Sequence, residues 1–301
     1  TLTITMLIFI YGALTAYLIG EGETLRAIFG TGSPWMYALI FLAVAGFIVY
    51  KGIKAAGSAE LILISLLVIV VIIIGVLSFE YITLKNFVSH NLAHIFLPYG
   101  VILFAFAGLP AIPELHQELK HDKKKLKSAI ILGSIIPIIL YLLFTFIVVG
   151  IVGLGDFEVL APNERIATVA LSMYSHPVLG ILANVLAVLA MFTSFLTLAI
   201  ALIDIYSLDN GLSRKWAFIL TLAPPLIIYL FNFTTFIAVL GVTGAIAGGI
   251  EGMIMILTYW KAKKLGKRKP EYNLPTHKFL GTVLLVMFVL GILYELYRNI
   301  F

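Results

Sequence analysis

The 301-residue sequence contains no cysteine. That excludes disulfide staples, thiolate metal ligands and a cysteine nucleophile. Charge is scarce as well: Asp, Glu, Lys and Arg together are 12% of the residues, where a soluble surface uses about 25–35%. Hydrophobic residues reach 61%. An ordinary soluble enzyme is excluded by that balance, and lipid becomes the solvent for most of the surface. There is no G-x-S-x-G, H-E-x-x-H or P-loop pattern, nor an acidic pair at lytic spacing within the apolar runs. No enzymatic activity is implied, and no metal or organic cofactor. The small excess of Lys and Arg over Asp and Glu, 20 against 15, lies between apolar runs. It reads as a topology signal rather than a footprint for nucleic acid.

What the chain does have is long apolar runs. Runs of about 17–25 residues, enough to cross ~30 Å of hydrocarbon as a helix, lie at residues 2–19, 34–50, 60–78, 95–119, 128–154, 177–205, 216–231, 234–260 and 278–297. They are apolar on every side and do not alternate, so helices are expected rather than barrel strands. The expected architecture is an all-α polytopic membrane protein with nine transmembrane helices, forming a single transmembrane domain over residues 1–301. The stretch 163–174 carries Ile166, Val169, Ala170 and Met173 at helical spacing, which predicts a short helix on the outer interface. The sequence opens at Thr1 inside an apolar run and without methionine, so a missing N-terminal segment is expected.

Orientation follows from the basic residues. The loops after the odd-numbered runs hold Arg26, Lys85 and Arg165. The loops after the even-numbered runs hold Lys51 and Lys54, five lysines between Lys120 and Lys127, the pair Arg214 and Lys215, and seven basic residues from Lys261 to Lys278. By the positive-inside rule the even loops are cytoplasmic and the C-terminus is outside.

A helix in lipid satisfies its own backbone, so a segment that interrupts itself at membrane depth lines a protected cavity. The fourth run does this, with Gly108, Pro110 and Pro113 near its middle. Pro110 removes the partner of the Phe106 carbonyl, and Pro113 that of Leu109. The predicted break leaves backbone dipoles of both signs, suited to a zwitterion or a cation. In the sixth run Thr193, Ser194 and Thr197 either bond back to preceding carbonyls or supply oxygens to a hard cation such as sodium. Glu251 reads as the one carboxylate deep in an apolar run, where burial, pairing or protonation is the default. Gly241, Gly244, Gly248, Gly249 and Gly252 on the same run favour close helix packing. Glu114 and His116, next to the break, are solvated caps or proton relays. His90 and His94 lack the partners a metal site needs.

The stretch from Phe104 to Leu115, FAFAGLPAIPEL, followed by the lysine-rich loop and Ser128-Ala-Ile-Ile-Leu-Gly133, resembles the sixth helix and following loop of amino acid permeases. These belong to the amino acid-polyamine-organocation superfamily, and the likeness is greatest to its amino acid/auxin and aromatic amino acid permease branch. The resemblance implies a LeuT-like inverted-repeat fold in the cell membrane. It also implies inward symport of an amino acid by alternating access, driven by Na+ or H+. Carried over, the substrate-binding stretch is Phe104, Ala105, Phe106, Ala107, Gly108 and Leu109. Thr193 and Ser194 match the Thr-Ser pair that sodium-coupled relatives present to the ion. The lysine that replaces sodium in some proton-coupled relatives has no counterpart in the third run. The family's first two helices, including the glycine-rich break that holds the substrate carboxylate, have no counterpart before Thr1. Two alternatives stay open: a polyamine or metal-ion carrier on the same fold, and a truncated membrane scaffold or receptor that transports nothing.

Overall fold

The computed structural model describes residues 2–51, 57–88, 95–108, 112, 115, 119, 122–266 and 275–300. Among them there is no strand, and helices joined by short connections make up the described residues. The helices are α1 (Leu2–Phe29), α2 (Pro34–Lys51), α3 (Gly57–Ser78), α4 (Tyr99–Ala105), α5 (Leu126–Val159), α6 (Ala167–Tyr174), α7 (Pro177–Asp204), α8 (Arg214–Leu230), α9 (Phe236–Val242), α10 (Gly249–Leu265) and α11 (Lys278–Ile300). A π-helical turn, Ile205–Asp209, follows α7, and another, Thr243–Gly248, joins α9 to α10.

Each apolar run of the sequence carries a helix. Among the described residues, six helical segments are long and apolar enough to cross a membrane, at 3–29, 34–51, 123–159, 177–208, 236–265 and 278–298. The other three runs hold the apolar helix Ser65–Tyr81, the seven-residue α4 and the 17-residue α8. Helix starts are legible in the chain. Pro34 opens α2, where its missing N–H has no intrahelical partner to lose. Pro177 opens α7, and the His176 ring Nδ1 before it accepts from the Val178 amide at 3.3 Å.

The described residues divide into two compact units, residues 1–9, 92–139 and 240–301 forming one and residues 10–91 and 140–239 the other. In the second unit α7 is central, packing against α2, α3, α6 and α8. Its buried face carries Leu179, Ala183, Leu186, Phe195 and Ala199, and the Phe195 ring meets Phe41 of α2 edge-on at 4.9 Å. Val71 and Ile74 of α3 and Ile147 of α5 complete that core with Leu171 of α6. Small residues at such contacts let helix backbones approach where lipid supplies no hydrophobic drive between them. The large residues Leu142 and Phe146 of α5 are exposed instead, as a lipid-facing surface requires. Helix α6 forms where the periodicity of residues 163–174 predicts one. It is docked on α7 through buried Thr168, Val169, Ala170 and Leu171, with Met173 exposed.

In the first unit α4 lies against the π turn Thr243–Gly248, and α11 packs on α10 and on that turn. A methyl on Gly100 would strike the Gly241 backbone, and one on Gly244 would meet the Gly100 carbonyl and lie 2.7 Å from the Phe104 nitrogen. Only glycine permits this backbone-to-backbone approach.

Candidate functional site

Helix α4 stops at Ala105, and its hydrogen bonds tighten step by step as it ends. The Phe106 amide donates to the Ile102 carbonyl at 3.1 Å, Ala107 to Phe104 at 3.1 Å and Gly108 to Phe106 at 2.8 Å, so the bonded partner moves from four residues back to three and then two. Phe106 has left the helical region of backbone space, at φ −99° and ψ 5°. Proline at 110 accounts for an end at this point: it offers no N–H to Phe106 and disfavours helical backbone at the residue before it. The end falls inside the fourth apolar run, as the spacing of Gly108 and the two prolines predicts.

The residues around the end are a mixture of ring and backbone. Phe104 stacks on Phe9 of α1 at 5.0 Å between ring centroids. Phe106 is exposed, and a Cβ built on Gly108 meets no atom of the described residues within 4 Å. Ala105, Phe106 and Gly108 are thus exposed beside the terminated helix, and Phe104 and Ala107 are half-buried. Leu109, Glu114, His116, His90, His94 and both prolines of the break lie outside the described residues.

The hydroxyls of the sixth run sit on α7, in the second unit. The Thr193 hydroxyl donates to the Leu189 and Ala190 carbonyls, each at 3.1 Å, and Thr197 donates to the Thr193 carbonyl at 3.1 Å. Both thus make the back-bonds open to hydroxyls in a helix interior, while their lone pairs stay available as acceptors. Ser194 is turned about 100° from Thr193 around the axis and shares a side-chain hydrogen bond with Tyr17 of α1. Thr197 is exposed and the other two are half-buried. Glu251 is in the first turn of α10, 4% exposed, and its Oε1 has no hydrogen-bond partner among the described residues.

Three polar features escaped the reading of the sequence. Glu21 of α1 is fully buried, and neither carboxylate oxygen has a hydrogen-bond partner among the described residues, so Glu251 is not the single buried acid. Its signal was weak because it stands between Gly20 and Gly22, at the polar edge of an apolar run that continues as helix to Phe29. Glu295 of α11 is 2% exposed, with Arg298 at 3.7 Å. Lastly, the Tyr11 hydroxyl lies 2.6 Å from that of Tyr206 and donates to the Leu220 carbonyl at 2.8 Å. Leu220 is four residues before Pro224, so its carbonyl lost its helical partner to that proline; Tyr11 supplies the replacement.

Comparison with known proteins bears on what such a helix end serves. A tyrosine-specific transport system of Haemophilus influenzae is 24% identical over 307 aligned residues, covering 97% of this chain and 75% of that protein. Glutamine transporter 2 of Aliivibrio fischeri is 25% identical over 241 residues, 77% of this chain and 62% of its own length. The branched-chain amino acid permease BcaP of Bacillus subtilis is 25% identical over 164 residues, 54% of this chain and 35% of that permease. These relatives are amino acid transporters and not enzymes. The tryptophan/tyrosine permease family matches residues 1–295, essentially the whole chain, and the chain belongs to that family.

Proposed function

We propose that this chain is the ion-coupled translocating part of a permease for a neutral amino acid, with the substrate held at the end of α4. The observation that carries the reading is the termination of α4 at Ala105 within an apolar run, with open space at Gly108. In hydrocarbon an interrupted helix persists only where protein or a cavity receives its backbone, and half-helix ends of this kind bind small charged cargo in transporters. Phe104 and Phe106 supply apolar surface for a side chain, and the stretch Phe104 to Leu109 supplies peptide dipoles for the charged end. That relatives are named for tyrosine, glutamine and branched-chain amino acids supports a zwitterion of variable neutral side chain.

In this reading the nine apolar runs cross nine times in a LeuT-like inverted repeat, with the C-terminus outside. Transport proceeds by alternating access as one bundle rocks against another. The coupling ion is Na+, with Thr193, Ser194 and Thr197 as oxygen donors, or H+, with Glu251, Glu114 and His116 as carriers.

The test is Gly108→Trp in the full-length protein reconstituted in liposomes, with uptake of radiolabelled tyrosine, glutamine and leucine. A Cβ at 108 meets no atom of the described residues, and the indole fills the space the substrate needs; the thermal unfolding of the variant is checked against the parent. At least one of the three amino acids accumulates with the parent, and uptake falls to the level of empty liposomes with the variant. Undiminished uptake by Gly108→Trp, or no accumulation of any amino acid by the parent, overturns the reading.

A further inference from the structure

We infer that Glu251 is the counter-charge for the substrate's ammonium group, placed beside the end of α4 by the register between α4 and the glycine-rich helix. The inference rests on the proposed transport of an amino acid and adds the residue that recognises its amine.

The register comes from the contacts themselves. Gly100 lies against Gly241 and Gly244, Gly244 against the Phe104 nitrogen, and the Cβ position of Gly248 is 3.4 Å from Leu103. As α4 advances from 100 to 104, its partner advances from 241 to 248, so the two segments run parallel. The turn of α10 that follows Gly248 then lies past Ala105, level with the residues where α4 has already ended. Glu251 is in that turn.

The direction of its side chain follows from the same contacts. Successive residues are about 100° apart around a helix. The Cβ positions of Gly249 and Gly252 meet Ile292 and Phe288 of α11, while Gly248 meets α4. Glu251 falls about 60° from Gly248 on the side opposite to Gly252, on the flank turned away from α11 and adjoining the path of the chain as it leaves α4. Although this carboxylate is 4% exposed, its Oε1 has no partner among the described residues.

A carboxylate in this position calls for a cation. Among the described residues, the basic residues of its own helix begin at Lys261, ten residues or about 15 Å further along the axis, and Arg298 lies beside Glu295 at 3.7 Å. The carbonyl end of α4 adds partial negative charge on the same side. Leu103 and Phe288, whose side chains meet the Cβ positions of Gly248 and Gly252 in the same turn, bring no oxygen, so a metal cation such as Na+ or Ca2+, which needs a shell of several, would depend on the backbone carbonyls at the end of α4. An ammonium needs only a few acceptors for its three N–H groups. It makes a short, charge-assisted hydrogen bond to one carboxylate and arrives with the cargo.

The experiment measures binding of radiolabelled L-tyrosine to the purified full-length protein, with competition by unlabelled tyrosine and by 3-(4-hydroxyphenyl)propanoate, which lacks only the amine. The parent prefers tyrosine over the deaminated analogue by at least about 30-fold, the loss that follows removal of one partner from a buried charge pair. Glu251→Gln, with its thermal unfolding checked against the parent, loses that preference by weakening tyrosine while leaving the analogue unchanged; Glu251→Asp recovers part of it. If the analogue competes with the parent as well as tyrosine does, the inference is overturned without recourse to any variant. It is also overturned if Glu251→Gln keeps full tyrosine affinity and loses only the pH dependence of uptake, which would assign the carboxylate to a proton. A parent that binds and transports none of the tested amino acids defeats the permease reading itself, an outcome distinct from the other two.

Discussion

At the scale of single residues, a buried acid without a partner is the feature that packing alone does not explain. Glu21 is fully buried, and both its oxygens lack hydrogen-bond partners among the described residues. Burial of an uncompensated polar group costs about 1–3 kcal/mol by mutational measures. Leucine fills a similar volume without that penalty, so Glu21→Leu should raise stability in detergent by about that amount, read from the midpoint of thermal unfolding. A lowered midpoint would show that the carboxylate is satisfied. The contrast between Glu251 and Glu21 shows what a sequence discloses about buried charge. An acid in the middle of GGIEGMIMIL announces itself because everything around it is apolar. One in GEGETLR passes for the polar margin of a span, and only the helical continuation to Phe29 places it inside. The back-bonded hydroxyls of Thr193 and Thr197 were one of two readings open to such residues, and the choice between them belongs to neighbours no local pattern specifies.

At the scale of elements, proline explains two different structures through one physical rule. In the fourth run Pro110 takes the amide that Phe106 would bond, and α4 ends at Ala105. In α8 Pro224 does the same to Leu220, yet that helix continues to Leu230 because the Tyr11 hydroxyl accommodates the orphaned carbonyl at 2.8 Å. The difference is a side chain from another helix, which no pattern within either run contains. Tyr11→Phe removes the donor to Leu220 and the partner of Tyr206 at once. The expected loss is about 0.5–1.5 kcal/mol, the net worth of a hydrogen bond, measured as a fall in thermal stability with the helical content unchanged. Stability equal to the parent would mean that water or another donor replaces the hydroxyl. The π turn at Thr243–Gly248 belongs to the same scale. Its glycines were recognised as packing residues, but their partners, Gly100 and the Phe104 nitrogen, are set by tertiary register, which no periodicity within one helix contains.

At the scale of the whole molecule, the number of crossings and the distribution of charge constrain each other. Six helical segments are long and apolar enough to span by themselves, and the proposed topology needs three more, through α3, the interrupted α4 and the proline-bearing α8. The two counts place Lys264 on opposite sides. Starting from a cytoplasmic N-terminal end, nine crossings put it in the cytoplasm after the eighth. Crossings by the six long segments alone put it outside after the fifth, together with Lys261 and Lys263, against the positive-inside rule. Thr31 is outside in either case. Because the chain has no cysteine, a single thiol introduced at an exposed position is the one site in it for a membrane-impermeant maleimide. Thr31→Cys should label in intact cells, and Lys264→Cys only after the membrane is permeabilised. Labelling of Lys264→Cys from outside would take one or all three of the short segments out of the bilayer. If α4 is among them, the placement of its end at membrane depth goes too, because a helix that terminates in water has no need of a cavity to receive it.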